Sequence, residues 1–292
     1  MKKIFALGFF DGVHLGHQAL LNACLRLAES AGAAPCAITF DRHPQSLFTE
    51  ESPRLVNTLE DRIRMLRRYG MAQVKVLPVT KEVMSTDWEK FLDDLVAEGA
   101  VGFVCGSDYR FGSRGEGTAE KLKDYCVARG LSCSVVGDLT LDGIRISSTH
   151  IRGLLEAGEM EQANRFLGHM HMLSGEVVSG RRLGRTLGIP TANLLIPEGV
   201  VEPHHGVYAC KAVVDGKEYL AVTNVGNRPT VGGHRVTVEP WLLDFEGDLY
   251  GKWITLYFHA FLRPEKKFDS LEELRQEIQK NAAQTRKFFE KI

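Results

Sequence analysis

The chain of 292 residues carries almost no net charge, because its 36 Lys and Arg residues are offset by 37 Asp and Glu residues. This balance excludes the strongly basic surface of a general polyanion-binding protein, so no nucleic-acid partner is predicted. Any attraction for phosphate must come from local sites. No apolar run approaches the length needed to span a membrane, so no membrane contact is predicted either.

Cysteine is scarce and follows no metal-binding or redox pattern. None of the six cysteines forms a Cys-x-x-Cys pair, which argues against zinc and disulfide roles. Most lie in apolar contexts, and we predict reduced core residues. The apolar stretch at the N-terminus breaks at Gly8 and Asp11, which is typical of a strand and not of a secretory signal. The sequence therefore predicts a cytoplasmic protein.

The most informative segment, Gly8–His17, reads GFFDGVHLGH. It follows an apolar run that predicts a buried strand, and it precedes a helical pattern with one apolar face. His14 and His17 are therefore predicted on the first turn of a helix, where free backbone N–H groups attract anions. Gly16 allows a ligand to approach the backbone closely. The alternative is a plain glycine-rich turn with two surface histidines.

A second segment, Ile146–Arg152, places hydroxyl groups and an arginine at the start of another predicted helix. The hydroxyl groups belong to Ser147, Ser148 and Thr149. They either cap the helix or donate, together with Arg152, to phosphate oxygens. Together, His-x-Gly-His and Ile-Ser-Ser-Thr-x-Ile-Arg resemble the marks of the nucleotidyltransferase superfamily.

Strand-like and helical runs alternate over residues 1–168, which predicts a parallel α/β sheet with helices on both faces. Ligands bind beyond the carboxyl ends of the strands in such sheets. The segment Gly106–Gly112 follows one predicted strand and carries Asp108, Tyr109, Arg110 and Phe111. Its aromatic, acidic and basic groups are suited to a flat ring and a phosphate, although a plain polar loop has a similar composition.

Strand-like runs follow one another from about residue 172, which predicts an antiparallel barrel or sandwich. Asp215-Gly216 predicts a tight hairpin turn, and Ser270 with Glu273 predicts a capping box at the start of a C-terminal helix. We therefore predict two domains, 1–168 and 169–292.

The segment Gly180–Asn193 combines arginines with Gly180, Gly184 and Gly188, and ends in Pro-Thr-Ala-Asn. It lacks the Gly-Lys-Ser/Thr ending of a Walker-type loop. Thr191 and Asn193 point the same way if the segment is extended, and both offer hard oxygen ligands to Mg²⁺ carrying ATP. A basic surface loop is the alternative. Glu239 lies in a strand-like run, where it either faces solvent or acts as a general base.

Together with the Asn-x-Gly-x-Arg-Pro-Thr segment at Asn224–Thr230, these features resemble riboflavin kinase. The two halves in this order resemble the bacterial bifunctional riboflavin kinase/FMN adenylyltransferase family over nearly the whole chain. The resemblance implies a Rossmann-like nucleotidyltransferase domain followed by a β-barrel kinase domain with a C-terminal helix. It also implies that the C-terminal half phosphorylates riboflavin with ATP, and that the N-terminal half transfers AMP from ATP to FMN, giving FAD. Both reactions need Mg²⁺.

The resemblance also implies residue roles. Glu239 is the kinase base, Thr191 and Asn193 hold Mg²⁺ and the ATP phosphates, and the three spaced glycines cover the nucleotide. The adenylyltransferase catalytic residues are His14, His17 and Arg152. Its nucleotide-binding residues are Gly8, Phe9, Phe10, Gly16, Ser147, Ser148 and Thr149. Its flavin-binding residues are Asp108, Tyr109, Arg110 and Phe111.

Four residues depart from the family pattern: Phe9, Pro240, Trp241 and Asn281. They leave the predicted catalytic groups intact and bear on the shape of the flavin pocket. A single-activity enzyme and a flavin-binding module without turnover are the alternative functions. Two separate triphosphate sites argue against both, because a flavin carrier needs neither.

Overall fold

A computed structural model of the protein describes residues 1–49, 52–178, 189–230 and 233–291. Its contacts divide the chain into two compact units, Met1–Ser148 and Thr149–Ile292. This division falls earlier in the chain than the predicted domain boundary at 168/169, which stays a prediction.

The first unit is built on a five-stranded parallel sheet, as predicted. Its strands are β1 (Lys3–Leu7), β2 (Ala34–Phe40), β3 (Gln73–Leu77), β4 (Ala100–Gly106) and β5 (Ser132–Val136). Its helices are α1 (Leu15–Ala31), α2 (Leu59–Arg68), α3 (Lys81–Met84), α4 (Trp88–Ala97) and α5 (Ala119–Arg129). A short hairpin follows, formed by β6 (Thr140–Leu141) and β7 (Ile144–Arg145).

The strand order β3-β2-β1-β4-β5 places β1 at the centre of the sheet, with β2 on one side and β4 on the other. The chain therefore changes direction across the sheet at β1. Ligands of open α/β sheets bind at such a switch point, outside the carboxyl ends of the strands. The segment that leaves β1 at this point is Gly8–His17.

The second unit contains a nearly closed antiparallel barrel of six strands, which confirms the predicted fold class. Two helices precede it, α6 (Ser148–Ala157) and α7 (Met160–Leu167). Its strands are β8 (His171–Glu176), β9 (Leu194–Leu195), β10 (Gly206–Val214), β11 (Lys217–Thr230), β12 (Gly233–Leu242) and β13 (Trp253–Pro264). Helix α8 (Leu271–Phe289) ends the chain.

The barrel strands lie in the order β8-β13-β10-β11-β12-β9. The two edge strands, β8 and β9, approach each other. Beside them, the Val178 N–H donates to the Asn193 carbonyl at 2.9 Å. This bond joins the segments next to the two edges, so that little of the barrel stays open.

Local sequence signals act as predicted at the turns and caps. Asp215 and Gly216 both have positive φ, 49° and 76°, as a tight type I′ hairpin requires. The Ser270 hydroxyl accepts the Glu273 N–H at 3.2 Å and begins α8. All six cysteines are free, and five of them are buried.

Candidate active sites

The Gly8–His17 turn brings its two histidines into direct contact at the start of α1. His14 is the N-cap residue, and its Nδ1 accepts the His17 N–H at 3.4 Å. The two imidazole rings stack with their centroids 3.6 Å apart. Both side chains thus lie at the helix terminus that is favourable for anions.

Steric fit explains two of the glycines in this turn. A Cβ at Gly8 would lie 2.9 Å from the ring of Phe10, which is fully buried. A Cβ at Gly16 would lie 3.2 Å from the His14 ring. Phe10 itself adopts a left-handed backbone conformation with φ of 61°. The aromatic and imidazole rings therefore fold tightly over the backbone, and larger side chains would displace them.

The electrostatic environment of His17 keeps its imidazole neutral. Its Nδ1 is buried and has no hydrogen-bond partner among the described residues. Burial is the main cause that lowers the pKa of His17 well below its ordinary value, and the positive charges of His14 and Arg62 add to the effect. Near pH 7, His17 can therefore donate a hydrogen bond to an anion without carrying a charge.

The second nucleotidyltransferase segment joins the first through Ser148. Its hydroxyl donates to the Asp11 carbonyl, 2.9 Å away, in the turn that leads to His14. On α6, Arg152 Nη2 donates to the Thr149 hydroxyl at 3.0 Å. Ser147 is half-buried. Ser148 is thus a neighbour of the histidine turn in the folded chain.

A cavity of about 580 Å³ lies in the first unit, and Phe9, Tyr109, Arg110 and Phe111 line it. The Tyr109 and Phe111 rings are nearly parallel, with centroids 6.0 Å apart. Burial raises the pKa of Tyr109, so its phenol stays protonated. The volume and the aromatic wall suit a flat ring system. Three of the four predicted flavin-binding residues therefore share one pocket.

Asp108 is the exception among the predicted flavin-binding residues. It does not line the cavity, and its exposed carboxylate pairs with Arg145. Asp138 pairs with the same guanidinium at 3.0 Å. Both carboxylates lie at the protein surface, so the role of Asp108 in flavin binding stays a prediction.

The barrel contains a second cavity, of about 280 Å³, and both Glu239 and Thr191 line it. The Thr237 hydroxyl lies 3.2 Å from Glu239 Oε1. Asn224 is the register partner of Glu239 on the neighbouring strand and lines the same cavity. Glu239 thus faces a cavity, as a general base must, and its carboxylate is held by a neighbouring hydroxyl.

The Pro-Thr-Ala-Asn segment is anchored by backbone bonds on both sides. The Ala192 N–H donates to the Pro240 carbonyl at 2.9 Å, and the Asn193 carbonyl accepts from Val178. Thr191 also lines a smaller cavity of about 50 Å³. Asn193 is buried and lines neither cavity. Gly180, Gly184 and Gly188 lie outside the described residues.

Comparisons with known proteins identify both units. A family model for FAD synthetase matches residues 1–150, and one for riboflavin kinase matches residues 167–289. The chain is 34% identical to the bifunctional riboflavin kinase/FMN adenylyltransferase of Listeria monocytogenes, covering 100% of this chain and 94% of that protein. The chain belongs to the bifunctional riboflavin kinase/FMN adenylyltransferase family. The predicted order of the two activities, adenylyltransferase first and kinase second, is thus confirmed.

Two further enzymes of this family and one solved structure are also similar to the chain. Identity is 33% to the Bacillus subtilis enzyme, over 100% of this chain and 94% of that protein. Identity is 34% to the Escherichia coli K12 enzyme, over 98% of this chain and 92% of that protein. A solved structure from Streptococcus pneumoniae, named as a macrolide-efflux protein, superposes with a TM-score of 0.88 at 30% identity, covering 98% of this chain and 94% of that one.

Among the residues that the structure describes, none of the helices combines the length and the apolarity needed to cross a membrane.

Sequence reasoning missed several side chains on the walls of the barrel cavity. Arg263, Glu265 and Lys266 come from the end of β13 and the segment after it, and each lines the cavity. Arg263 Nε donates to Asn281 Oδ1 at 3.1 Å. This bond gives the unusual Asn281, which is only 1% exposed, a structural role in holding α8 against β13.

Arg62 is the main omission in the first unit. It lies on α2 and is only 1% exposed, although an arginine in a helix is normally assigned to solvent. Its helical spacing from the buried residues Met65 and Leu66 is the one signal in the sequence that places it on the inner face.

Proposed function

We propose that this family member makes FAD from riboflavin at two independent sites, each with its own ATP. Riboflavin is phosphorylated in the barrel, and the resulting FMN is adenylylated in the parallel α/β unit. The observation that supports this proposal is that each unit has its own cavity, lined by some of the residues predicted for its own site. Glu239 and Thr191 share the barrel cavity, whereas Phe9 and Tyr109–Phe111 share the cavity of the first unit.

In the kinase reaction, Glu239 takes the proton from the ribityl 5′-hydroxyl as the hydroxyl oxygen attacks the γ-phosphate of ATP, and ADP leaves. The Thr237 hydroxyl and the facing Asn224 orient the carboxylate. Phosphoryl transfer depends mainly on positioning and charge stabilisation, and a base contributes roughly 10²–10⁴-fold. Trp241, on the same wall, offers an aromatic face to the isoalloxazine.

The donor set near the Pro-Thr-Ala-Asn segment fits Mg²⁺. Mg²⁺ in nucleotide sites uses one or two protein oxygens together with substrate phosphates and water. Thr191 offers a hydroxyl on the cavity wall. Asn193, two residues later, is buried and does not line this cavity, so its part in holding Mg²⁺ stays a prediction. When bound there, Mg²⁺ would neutralise charge on the ATP phosphates.

Replacing Thr191 by Val tests this assignment, because Val keeps the shape and removes the oxygen. We expect the Mg²⁺ concentration for half-maximal FMN formation to rise about tenfold or more. FAD formation from supplied FMN serves as the internal control and should not change. Mg²⁺ titration of both initial rates makes the measurement. An unchanged Mg²⁺ requirement in a folded variant would reject the role of Thr191.

In the adenylyltransferase reaction, the phosphate of FMN is already an anionic nucleophile and needs no base. The difficulty is to bring two anions together and to stabilise charge around the α-phosphate of ATP. His14 and His17 at the N-terminus of α1 supply preorganised donors, and Ser148, Thr149 and Arg152 belong to the second donor segment. Pyrophosphate leaves as FAD forms.

The aromatic wall of the larger cavity makes a separate prediction. Tyr109→Ala removes the ring that lies nearly parallel to Phe111. We expect the KM for FMN in FAD formation to rise roughly fivefold, since an aromatic contact contributes about 1 kcal/mol. The KM for riboflavin in the kinase reaction should stay the same. An unchanged KM for FMN together with a raised KM for riboflavin would assign this cavity to another ligand.

The proposed function is tested by incubating the pure protein with riboflavin, ATP and Mg²⁺ and separating the flavins over time. We expect FMN to rise first and FAD to follow. The appearance of FMN alone, or of neither product, would contradict the two-site proposal.

The six free cysteines support a cytoplasmic location, where thiols stay reduced.

A further inference from the structure

Arg62 ties together the carboxyl ends of two neighbouring parallel strands beside the histidine turn. Its Nη1 donates to the Phe9 carbonyl at 3.2 Å, just beyond β1, and its Nη2 donates to the Phe40 carbonyl at 2.9 Å, at the end of β2. The Thr39 hydroxyl donates to the same Phe9 carbonyl at 2.7 Å. One guanidinium therefore holds the first residues of the turn against the adjacent strand.

Stability alone does not explain a charge at this position. Moving a guanidinium out of water is costly, and apolar side chains of similar volume usually serve a core equally well. Burial lowers the pKa of Arg62 to about 10, and the nearby carboxylates of Asp11 and Asp41 oppose this shift. The group therefore stays charged near pH 7. The guanidinium carbon of Arg62 lies 4.3 Å from the centroid of the Phe9 ring. The Nε of Arg62 has no hydrogen-bond partner among the described residues.

The charge of Arg62 also acts on His17. The titratable groups that act on this imidazole are His14, on its own helix, and Arg62, on α2. Asp11, in the turn that leads to His14, accepts the Val56 N–H at 2.8 Å. Its negative charge favours the charged form of Arg62. A positive charge near His17 disfavours its protonated form.

We propose that Arg62 is a positioning residue of the adenylyltransferase site, which fixes the backbone at Phe9, near the start of the turn that carries His14 and His17. It acts through the turn and the histidine and does not itself touch the reacting phosphates. This inference rests on the proposed formation of FAD in the first unit. The paired hydrogen bonds of Arg62 and its positive charge predict different results for different substitutions.

Arg62→Met removes both the hydrogen bonds and the charge, whereas Arg62→Lys keeps the charge and loses the paired hydrogen bonds. Arg67→Met, on the exposed side of α2, is the control. For Arg62→Met we expect kcat for FAD formation from FMN to fall roughly 100-fold, because small displacements of a turn near the reacting groups have effects of this size. For Arg62→Lys we expect a smaller fall, about tenfold. Arg67→Met should match the wild type.

The pH profile separates a positioning role from a purely structural one. Loss of the nearby positive charge raises the pKa of His17, so protonation of His17 begins at a higher pH as the pH falls. The acid limb of FAD formation should therefore move to higher pH in Arg62→Met and stay in place in Arg62→Lys. Thermal unfolding followed by circular dichroism reports whether each variant is intact, and riboflavin phosphorylation in the same chains should not change.

Wild-type kcat in Arg62→Met would overturn the inference. Equal losses in the Met and Lys variants, with no movement of the acid limb, would overturn it as well, since they would indicate a structural role alone. If Arg62→Met does not fold, Arg62→Lys decides: a reduced kcat with the wild-type acid limb supports the inference, and a wild-type kcat rejects it. Failure of the wild-type protein to make FAD would instead reject the proposed function.

Discussion

Glu239→Gln should abolish the phosphorylation of riboflavin and leave the conversion of supplied FMN to FAD unchanged. Gln keeps the size of the side chain and its contact with Thr237, but it cannot accept the proton of the ribityl hydroxyl. We expect kcat for FMN formation to fall by roughly 10²–10⁴-fold. Initial rates of the two half-reactions, measured separately with riboflavin or with FMN, make this test.

Glu246→Gln is the matched control, because Glu246 is exposed and does not line the barrel cavity. Glu246→Gln should keep the wild-type rates of both riboflavin phosphorylation and FAD formation. Normal riboflavin phosphorylation by Glu239→Gln would reject Glu239 as the base. Loss of both half-reactions in that variant would indicate instead that the substitution damages the whole chain.

His17→Ala should stop FAD formation while FMN accumulates from riboflavin. The imidazole lies at the N-terminus of α1, stacked on His14, where it can donate to phosphate oxygens. Removal of one preorganised donor to developing charge lowers kcat by about 10²–10³-fold. Chromatographic separation of riboflavin, FMN and FAD during a single incubation shows both effects together.

His169→Ala, in the second unit, controls for the loss of an imidazole elsewhere in the chain. It should give the wild-type sequence of products. The account of His17 fails if His17→Ala reduces FMN and FAD formation equally, or if it still makes FAD at the wild-type rate.

The fold was predictable because both units repeat simple patterns. Alternation of apolar strands and amphipathic helices predicted the parallel sheet, and successive strand-like runs predicted the barrel. Strand β9 was missed because it has only two residues, Leu194–Leu195, and so shows no periodicity. β11 extends to Thr230, because its pairing with β12 continues through the polar segment Asn224–Thr230.

The candidate sites were predictable where chemistry is concentrated in a short segment. His14 and His17 are three residues apart, and the aromatic residues of the first cavity lie within Tyr109–Phe111. The contribution of Arg62 could not be predicted in this way. Its acceptors are backbone carbonyls, which every residue has, and they lie 53 and 22 positions away in the sequence.

The same reasoning applies to the surroundings of Glu239. A lone carboxylate in a strand most often faces solvent, and nothing local distinguishes a base from a surface residue. The distinction depends on register, which places Asn224 opposite it, and on Thr237, two residues earlier on the same strand. Register between two paired strands is a property of the folded barrel and is not encoded in a short motif.

A crystal structure of the protein soaked with a non-hydrolysable ATP analogue and FMN would test the central claim most directly. We expect two nucleotides in each chain, one beside Thr191 and Glu239 and one against the turn that carries His14 and His17. A single nucleotide in each chain, with either set of side chains blocked or turned away, would contradict the account.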